Sequence, residues 1–366
     1  MATARKYLIN DAEGGCFHLI SRCVRRAFLC GDGAGAGKRR GHIAQMVQRA
    51  SQCFAVEVLS FAVMDNHMHI VAKGQPARAM QWDDRTVAER WAALWPKRNP
   101  ETRELEPWSE ERIAMLATDS LHCVTLRKRL MSLSWFMRLI KEPIAKRANR
   151  EDTCTGHFWE GRFKSVKLLD AAALVSCMAY VDLNPIRAKM ADRPEDSDYT
   201  SIRARIQARQ AHKKTLGLAD IYGKTTALTP VMQTIITSGP EHGLWIAPMD
   251  RCHTNSPDGV TKPHTLNLDD YIELVETTGR IIRNDKRGAI PDHLLPILQR
   301  LDIDAENWIK LMSSHNRFLG AAIGHAIART NEAIKRGVKW IRNTMSDVFI
   351  NTTNASPPQK LKPPPA

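Results

Sequence analysis

The chain has no Cys-x-x-Cys pair; its eight cysteines are scattered from Cys16 to Cys252. This spacing gives neither a zinc ribbon nor a disulfide framework, so the thiols are expected to be reduced and mostly buried. No segment approaches the roughly 18–20 apolar residues that a membrane-spanning helix needs. The first ten residues, Met1 to Asn10, lack the apolar region of a signal peptide. The expectation is a cytoplasmic protein with no membrane partner. A phosphate loop is missing too. Gly31 to Lys38 ends in Gly-Lys, but Asp32 stands where the Walker spacing needs glycine and Arg39 where it needs a hydroxyl. Acidic side chains are in deficit, with 39 Asp and Glu against 53 Lys and Arg, a net charge of +14. That imbalance favours a polyanionic partner, most simply nucleic acid.

The 366 residues suffice for about two domains, with a third possible. Residues 17–24 read as a first strand, and 41–53 as an amphipathic helix with Ile43, Met46, Val47 and Ala50 at helical spacing. Residues 54–64 and 67–73 read as two strands joined by Asp65-Asn66, a pair suited to a tight turn. Residues 75–125, with Trp82, Trp91, Trp95 and Trp108 among charges and prolines, read as a partly helical insertion. A helix is expected from Thr125 to Arg150, kinked or ended by Pro143. Residues 157–167 look like a strand, and Asp170 can cap a helix running through Tyr180. The order β-α-β-β-α-β followed by a helix is that of an α+β fold with a ferredoxin-like antiparallel sheet and helices on one face. On this reading residues 1–200 form one domain, 201–266 a polar, turn-rich linker region, 267–345 a helical accessory domain and 346–366 a disordered tail. No internal repeat is present.

Two motifs carry chemistry. In Asp65-Asn66-His67-Met68-His69 the histidines are two apart in a strand, so both imidazoles face one way and can share a metal ion. In Tyr180-Val-Asp-Leu-Asn184-Pro-Ile-Arg187 the tyrosine and asparagine stand one helical turn apart. The first offers a phenol nucleophile and the second an oxygen ligand for a hard cation such as Mg²⁺ or Mn²⁺. An equally simple reading packs Tyr180 in the core and lets Asn184 end the helix before Pro185. For the first motif the bland reading is a surface or packed histidine pair.

The two motifs together resemble a known family. His67-Met68-His69 is similar to the His-hydrophobe-His signature of the HUH single-strand DNA endonucleases. The run from Tyr180 to Ala188 looks like the tyrosine helix of single-tyrosine transposases. Gly156 to Ser165 and the Trp135-Phe136 helix resemble the REP-associated tyrosine transposase branch. The resemblance covers about residues 15–200 and implies a ferredoxin-like fold. It further implies that Tyr180 attacks single-stranded or hairpin DNA to give a 5′-phosphotyrosine and a free 3′-OH. His67, His69 and Asn184 would hold Mg²⁺ or Mn²⁺. Members differ in whether the site is completed within one chain or across a homodimer. Neither the insertion nor the C-terminal helices belong to the compact family core. Tyr199, weighed as a second nucleophile, reads better as a loop anchor.

Basic residues would hold the DNA. Between Leu126 and Arg150 there are eight cations and one acid, Glu142. The residues singled out for phosphate contact are Arg22, Arg25, Arg26, Arg39, Arg40, Arg138, Lys141, Arg147, Arg162, Lys164, Lys167 and Arg187. Phe158, Trp159 and Phe163 could stack on unpaired bases, while His18 and His157 read as structural histidines bordering the site. The leading expectation is a metal-dependent DNA transposase or nickase associated with the nucleoid through its DNA. The alternatives are a non-catalytic protein that recognises palindromic repeat hairpins, and a metallohydrolase that uses only His67 and His69.

Overall fold

A computed structural model gives the structure, which describes residues 7–31, 37–102, 104–222, 233–234, 237–241, 243–251, 266–283, 290–301, 303–313 and 320–341. Most of the glycine-rich loop and the expected tail at 346–366 lie outside the described residues.

Strands β1 (Gly15–Arg22), β2 (Val56–Val63), β3 (His67–Gly74) and β6 (Lys164–Leu168) form the centre of a sheet ordered β2-β3-β1-β6. All three neighbouring pairs are antiparallel, which is the ferredoxin-like arrangement expected. A two-residue strand, β7 (Ala322–Ile323), pairs parallel with the outer edge of β6. The expected strand at 157–167 begins only at Lys164. Phe158, Trp159 and Phe163 instead turn their rings into the core, so they are not free to stack on bases.

Helices cover both faces of the sheet rather than one, because the strands are apolar on both sides. On β1 the alternating residues Phe17 and Leu19 join a core with Ile43 and Val47 of α1 (Gly37–Cys53) and Phe136 and Ile140 of α6 (Leu133–Glu151). Cys16 on β1 and Val71 on β3 face the other way, toward Leu174, Met178 and Val181 of α7 (Ala171–Asp182). Asp170 caps α7 as expected, accepting from the Ala173 amide at 2.9 Å.

The helix expected from 125 to 150 is two helices. Ser132, with extended backbone, ends α5 (Ser120–Met131) and caps α6, accepting from Ser134 N at 3.2 Å. Pro143 lies inside α6, which continues through it. The insertion folds as α2 (Pro76–Met80), α3 (Asp84–Leu94), a short pairing of β4 (Lys97–Arg98) with β5 (Leu105–Glu106), and α4 (Glu110–Thr118), ahead of α5.

The stretch read as a polar linker opens with a 22-residue helix, α9 (Ser201–Tyr222). Beyond it lie α10 (Leu268–Arg283), α11 (Leu295–Arg300), α12 (Ala305–Ser313) and α13 (Ala326–Lys335). The stripe Leu268, Tyr271, Ile272, Val275 and Gly279 on α10 is buried, and α10 and α12 share the core of α7 rather than forming one of their own.

Candidate active site

The alternation of β3 sends Met68 and Ile70 into the core beneath the sheet and His67 and His69 to the α7 face. Pairing sets Ile20 of β1 opposite His69 and Arg22 opposite His67, so β1 delivers His18, Ile20 and Arg22 to the same face. From the opposite side come Tyr180 and, on the single turn α8 (Asn184–Arg187), Asn184 and Arg187. Leu183 keeps near-helical angles (φ −86°, ψ −1°), so Pro185 does not turn the chain away. Positions 180, 184 and 187 therefore stay on one side, at i, i+4 and i+7. These groups line a cavity of about 580 Å³.

The two motifs meet. The Tyr180 ring lies 6.1 Å from that of His69 and 6.3 Å from that of His18, centre to centre, both edge-on. The rings of His67 and His69 are 4.8 Å apart. Asn66 donates its Nδ2 to the Arg26 carbonyl at 3.1 Å, which turns its Oδ1 toward His67. An amide oxygen can only accept, so His67 Nδ1 carries the proton of their 2.5 Å hydrogen bond and its Nε2 keeps the lone pair. His69 shares a 2.8 Å hydrogen bond between its Nδ1 and His18 Nε2, so its Nε2 lies outside that bond. Asn184 donates Nδ2 to the carbonyls of Tyr180 (3.0 Å) and Val181 (3.3 Å), which leaves its Oδ1 outside both bonds.

Burial holds all three imidazoles neutral. It pushes His18 down to about 3 and His67 to about 4, with Arg187 and Arg22 adding to the effect, and His69 well below the ordinary range. Among the described residues no three His, Cys, Asp or Glu side chains form a metal cage. The donors that fit a divalent cation are the Nε2 atoms of His67 and His69 with Asn184 Oδ1: two neutral nitrogens held from behind and one oxygen.

Of the twelve cations singled out, Arg22, Arg26, Arg162, Lys164 and Arg187 line the cavity. Arg25 is exposed beside Arg26, both at positive φ (54° and 57°). Arg40 is paired with Asp65 at 3.3 Å. Arg138 pairs with Glu142, Arg147 with Glu151, and Lys141 donates to the Gly161 carbonyl. Two expectations need correction. Arg39 is buried and tied to Glu151, Asp152 and the Leu29 carbonyl, joining α1 to the end of α6. Lys167 points to the other face of the sheet from the cavity and pairs with buried Glu332 of α13 at 2.9 Å. Arg187, expected on phosphate, lies with its guanidinium 3.7 Å from the centre of the Tyr180 ring.

His18 belongs to the site more fully than its isolated place in β1 suggests; its signal is the register that sets β1 against the His67-x-His69 strand. His157 is exposed and does not line the cavity. Glu160 and Gly161, on the irregular approach to β6, also line it, though the sequence assigned neither a role. Tyr199 lies away from the cavity, under the Arg40 guanidinium at 5.6 Å.

No protein-family profile matches the chain, and no curated protein matches it. Among solved structures, that of a REP-associated tyrosine transposase bound to a REP hairpin is similar to it. The identity is 13% and the TM-score 0.33, over 57% of this chain and 86% of that one. No helix among the described residues is long and apolar enough to cross a membrane.

Proposed function

We propose that the chain cleaves and rejoins single-stranded or hairpin DNA through a covalent link to Tyr180, as a transposase or nickase. One observation carries this reading: a phenol, two neutral imidazoles and an amide oxygen converge in a cavity whose wall holds Arg22, Arg26, Arg162 and Lys164. In the reaction Tyr180 Oη forms a bond to phosphorus and the bond from phosphorus to the 3′ oxygen breaks. The phenol proton ends, in net terms, on the departing 3′ oxygen. The number of phosphate ester bonds is unchanged, so the 3′-OH can reverse the step without ATP. Mg²⁺ or Mn²⁺ bound to His67, His69 and Asn184 would polarise the phosphoryl oxygen and offset its developing charge. The arginines and Lys164 would draw the strand's phosphates to the cavity, with a strong dependence on salt.

The test is a labelled hairpin with a single-stranded flank, incubated with Mg²⁺ or Mn²⁺ and resolved on a denaturing gel. The wild type should give a labelled protein adduct, and Tyr180→Phe should give none while still binding the hairpin. Cleavage without an adduct would point to hydrolysis. Binding without cleavage in either metal would favour a pure hairpin-recognition protein.

A further inference from the structure

We infer that Arg187 is a positioning residue for the nucleophile, a strut through which the C-terminal helices hold the Tyr180 ring in place. The inference rests on the reading of Tyr180 as the nucleophile. Arg187 Nη2 donates to the Tyr180 carbonyl at 2.8 Å, and its guanidinium plane lies 3.7 Å over the same residue's ring. Both ends of one tyrosine, backbone and ring, are thus gripped by one planar cation. The other arm, Nη1, donates at 3.1 Å to the carbonyl of Met312, a fully buried residue of α12. Burial brings the guanidinium down to about 10, so it stays charged at neutral pH.

The same C-terminal helices grip the tyrosine helix at neighbouring turns. Tyr271 of α10 donates its hydroxyl to the buried carboxylate of Asp182 at 2.6 Å. Gly279 of α10 lies so close to Ile186 and Leu183 that an added Cβ would meet their methyls at 3.0 and 3.3 Å. Trp308 of α12, fully buried, donates to Thr278 of α10 at 2.9 Å and so ties the two gripping helices together. Asp182, Leu183, Ile186 and Arg187 are therefore each held by the C-terminal helices, while the Tyr180 ring faces the histidines. Each of these contacts lies within a single chain. The nucleophile is thus braced by the chain's own C-terminal helices.

A phosphate-binding arginine and a ring-holding arginine respond differently to substitution. Lysine keeps a charge for phosphate but cannot lie flat on a ring while reaching two carbonyls. Single-turnover adduct formation at saturating hairpin should fall about 100-fold in Arg187→Ala, the scale expected of a misaimed nucleophile. Arg187→Lys should fall with it, and the hairpin concentration giving half-maximal rate should change little in either variant. A rate unchanged at saturation with weakened hairpin affinity, or full rescue by lysine, would make Arg187 a phosphate contact and overturn the inference. A second measurement needs no DNA. With 3-fluorotyrosine in all five tyrosines, the ¹⁹F resonance assigned through Tyr180→Phe should shift in both Arg187 variants, and that of Tyr271 should not. A Tyr180 resonance left in place would equally overturn the strut. If the wild type forms no adduct but the resonance moves, the functional reading fails and the strut stands.

Discussion

If His69 offers its Nε2 to a cation, as proposed, the group that holds its Nδ1 is His18. Replacing His18 by alanine should weaken Mn²⁺ binding about 10–100-fold, the usual effect of losing an outer partner of a ligand. Calorimetric titration of the metal checks this, and unchanged affinity would remove His18 from the site. The three imidazoles, two buried and one half-buried, also predict how stability follows pH when the metal is chelated. Each folded-state value lies below the ordinary 6.5, so on acidification the unfolded chain takes up protons that the folded chain refuses. Their contribution is full above about 6.5 and is lost as pH falls toward 3–4. Asp182, raised to about 6 by burial, works in the opposite sense but is one group against three. The urea midpoint of the metal-free protein should therefore drop between pH 6.5 and 5, above the range of ordinary carboxylates. A midpoint that is flat or rises on acidification would contradict this account.

At the scale of elements, Asp170 does two jobs. Its Oδ1 caps α7 at Ala173, and its Oδ2 accepts from the His325 amide at 2.6 Å, beside β7. Asp170→Ala should cost roughly 1–2 kcal/mol, from a lost cap and a half-buried amide left bare. A thermal melt will show it, and a variant as stable as the wild type would mean the cap carries little. The cap was legible because it depends on local spacing, and so was the Asp65-Asn66 turn between two apolar runs. The His67–His69 pair and the Tyr180–Asn184 pair were each legible as faces, since faces follow from strand and helix periods. What periodicity does not disclose is direction across the fold. Arg187 sits on a basic, mostly exposed-looking run, yet its guanidinium is drawn inward by two carbonyls far apart in sequence. Arg39 is likewise turned by Glu151 and Asp152, whose approach depends on α6 ending where it does. The break at Ser132 escaped because Leu126, Leu130, Leu133 and Met137 keep helical spacing across it, and all four are buried on either side. Helix α9 escaped because its buried residues, Ser201, Ile202, Arg205 and Ile206, include a serine and an arginine, the latter serving the core through the Leu59 and Ala247 carbonyls.

Across the whole molecule, the sheet has one core on each face, and the core above it is completed by the C-terminal helices. Trp308 lies at its centre, fully buried, whereas Trp340 is exposed. Trp308→Ala should destabilise the protein by roughly 3–5 kcal/mol, and Trp340→Ala by a few tenths at most. Urea titration followed by circular dichroism and by Trp fluorescence should give coincident midpoints, because α10 and α12 share their core with α7. Two resolved transitions would show that the C-terminal helices fold independently.

The short strand β7 has a consequence for how such a chain must be made. The carbonyls of Ala321, just before it, and of Ile323 within it accept the Lys167 and Leu169 amides and so close the outer edge of β6. Ribosomes deliver β6 long before β7. Until then the nascent chain carries an open strand edge beside a bare apolar helix, an invitation to pair with its neighbours on the same message. Slowing translation between α9 and β7 should therefore lower the soluble yield more than an equal pause within the first sheet. A strand of two residues, made late, thus covers the edge of one made early.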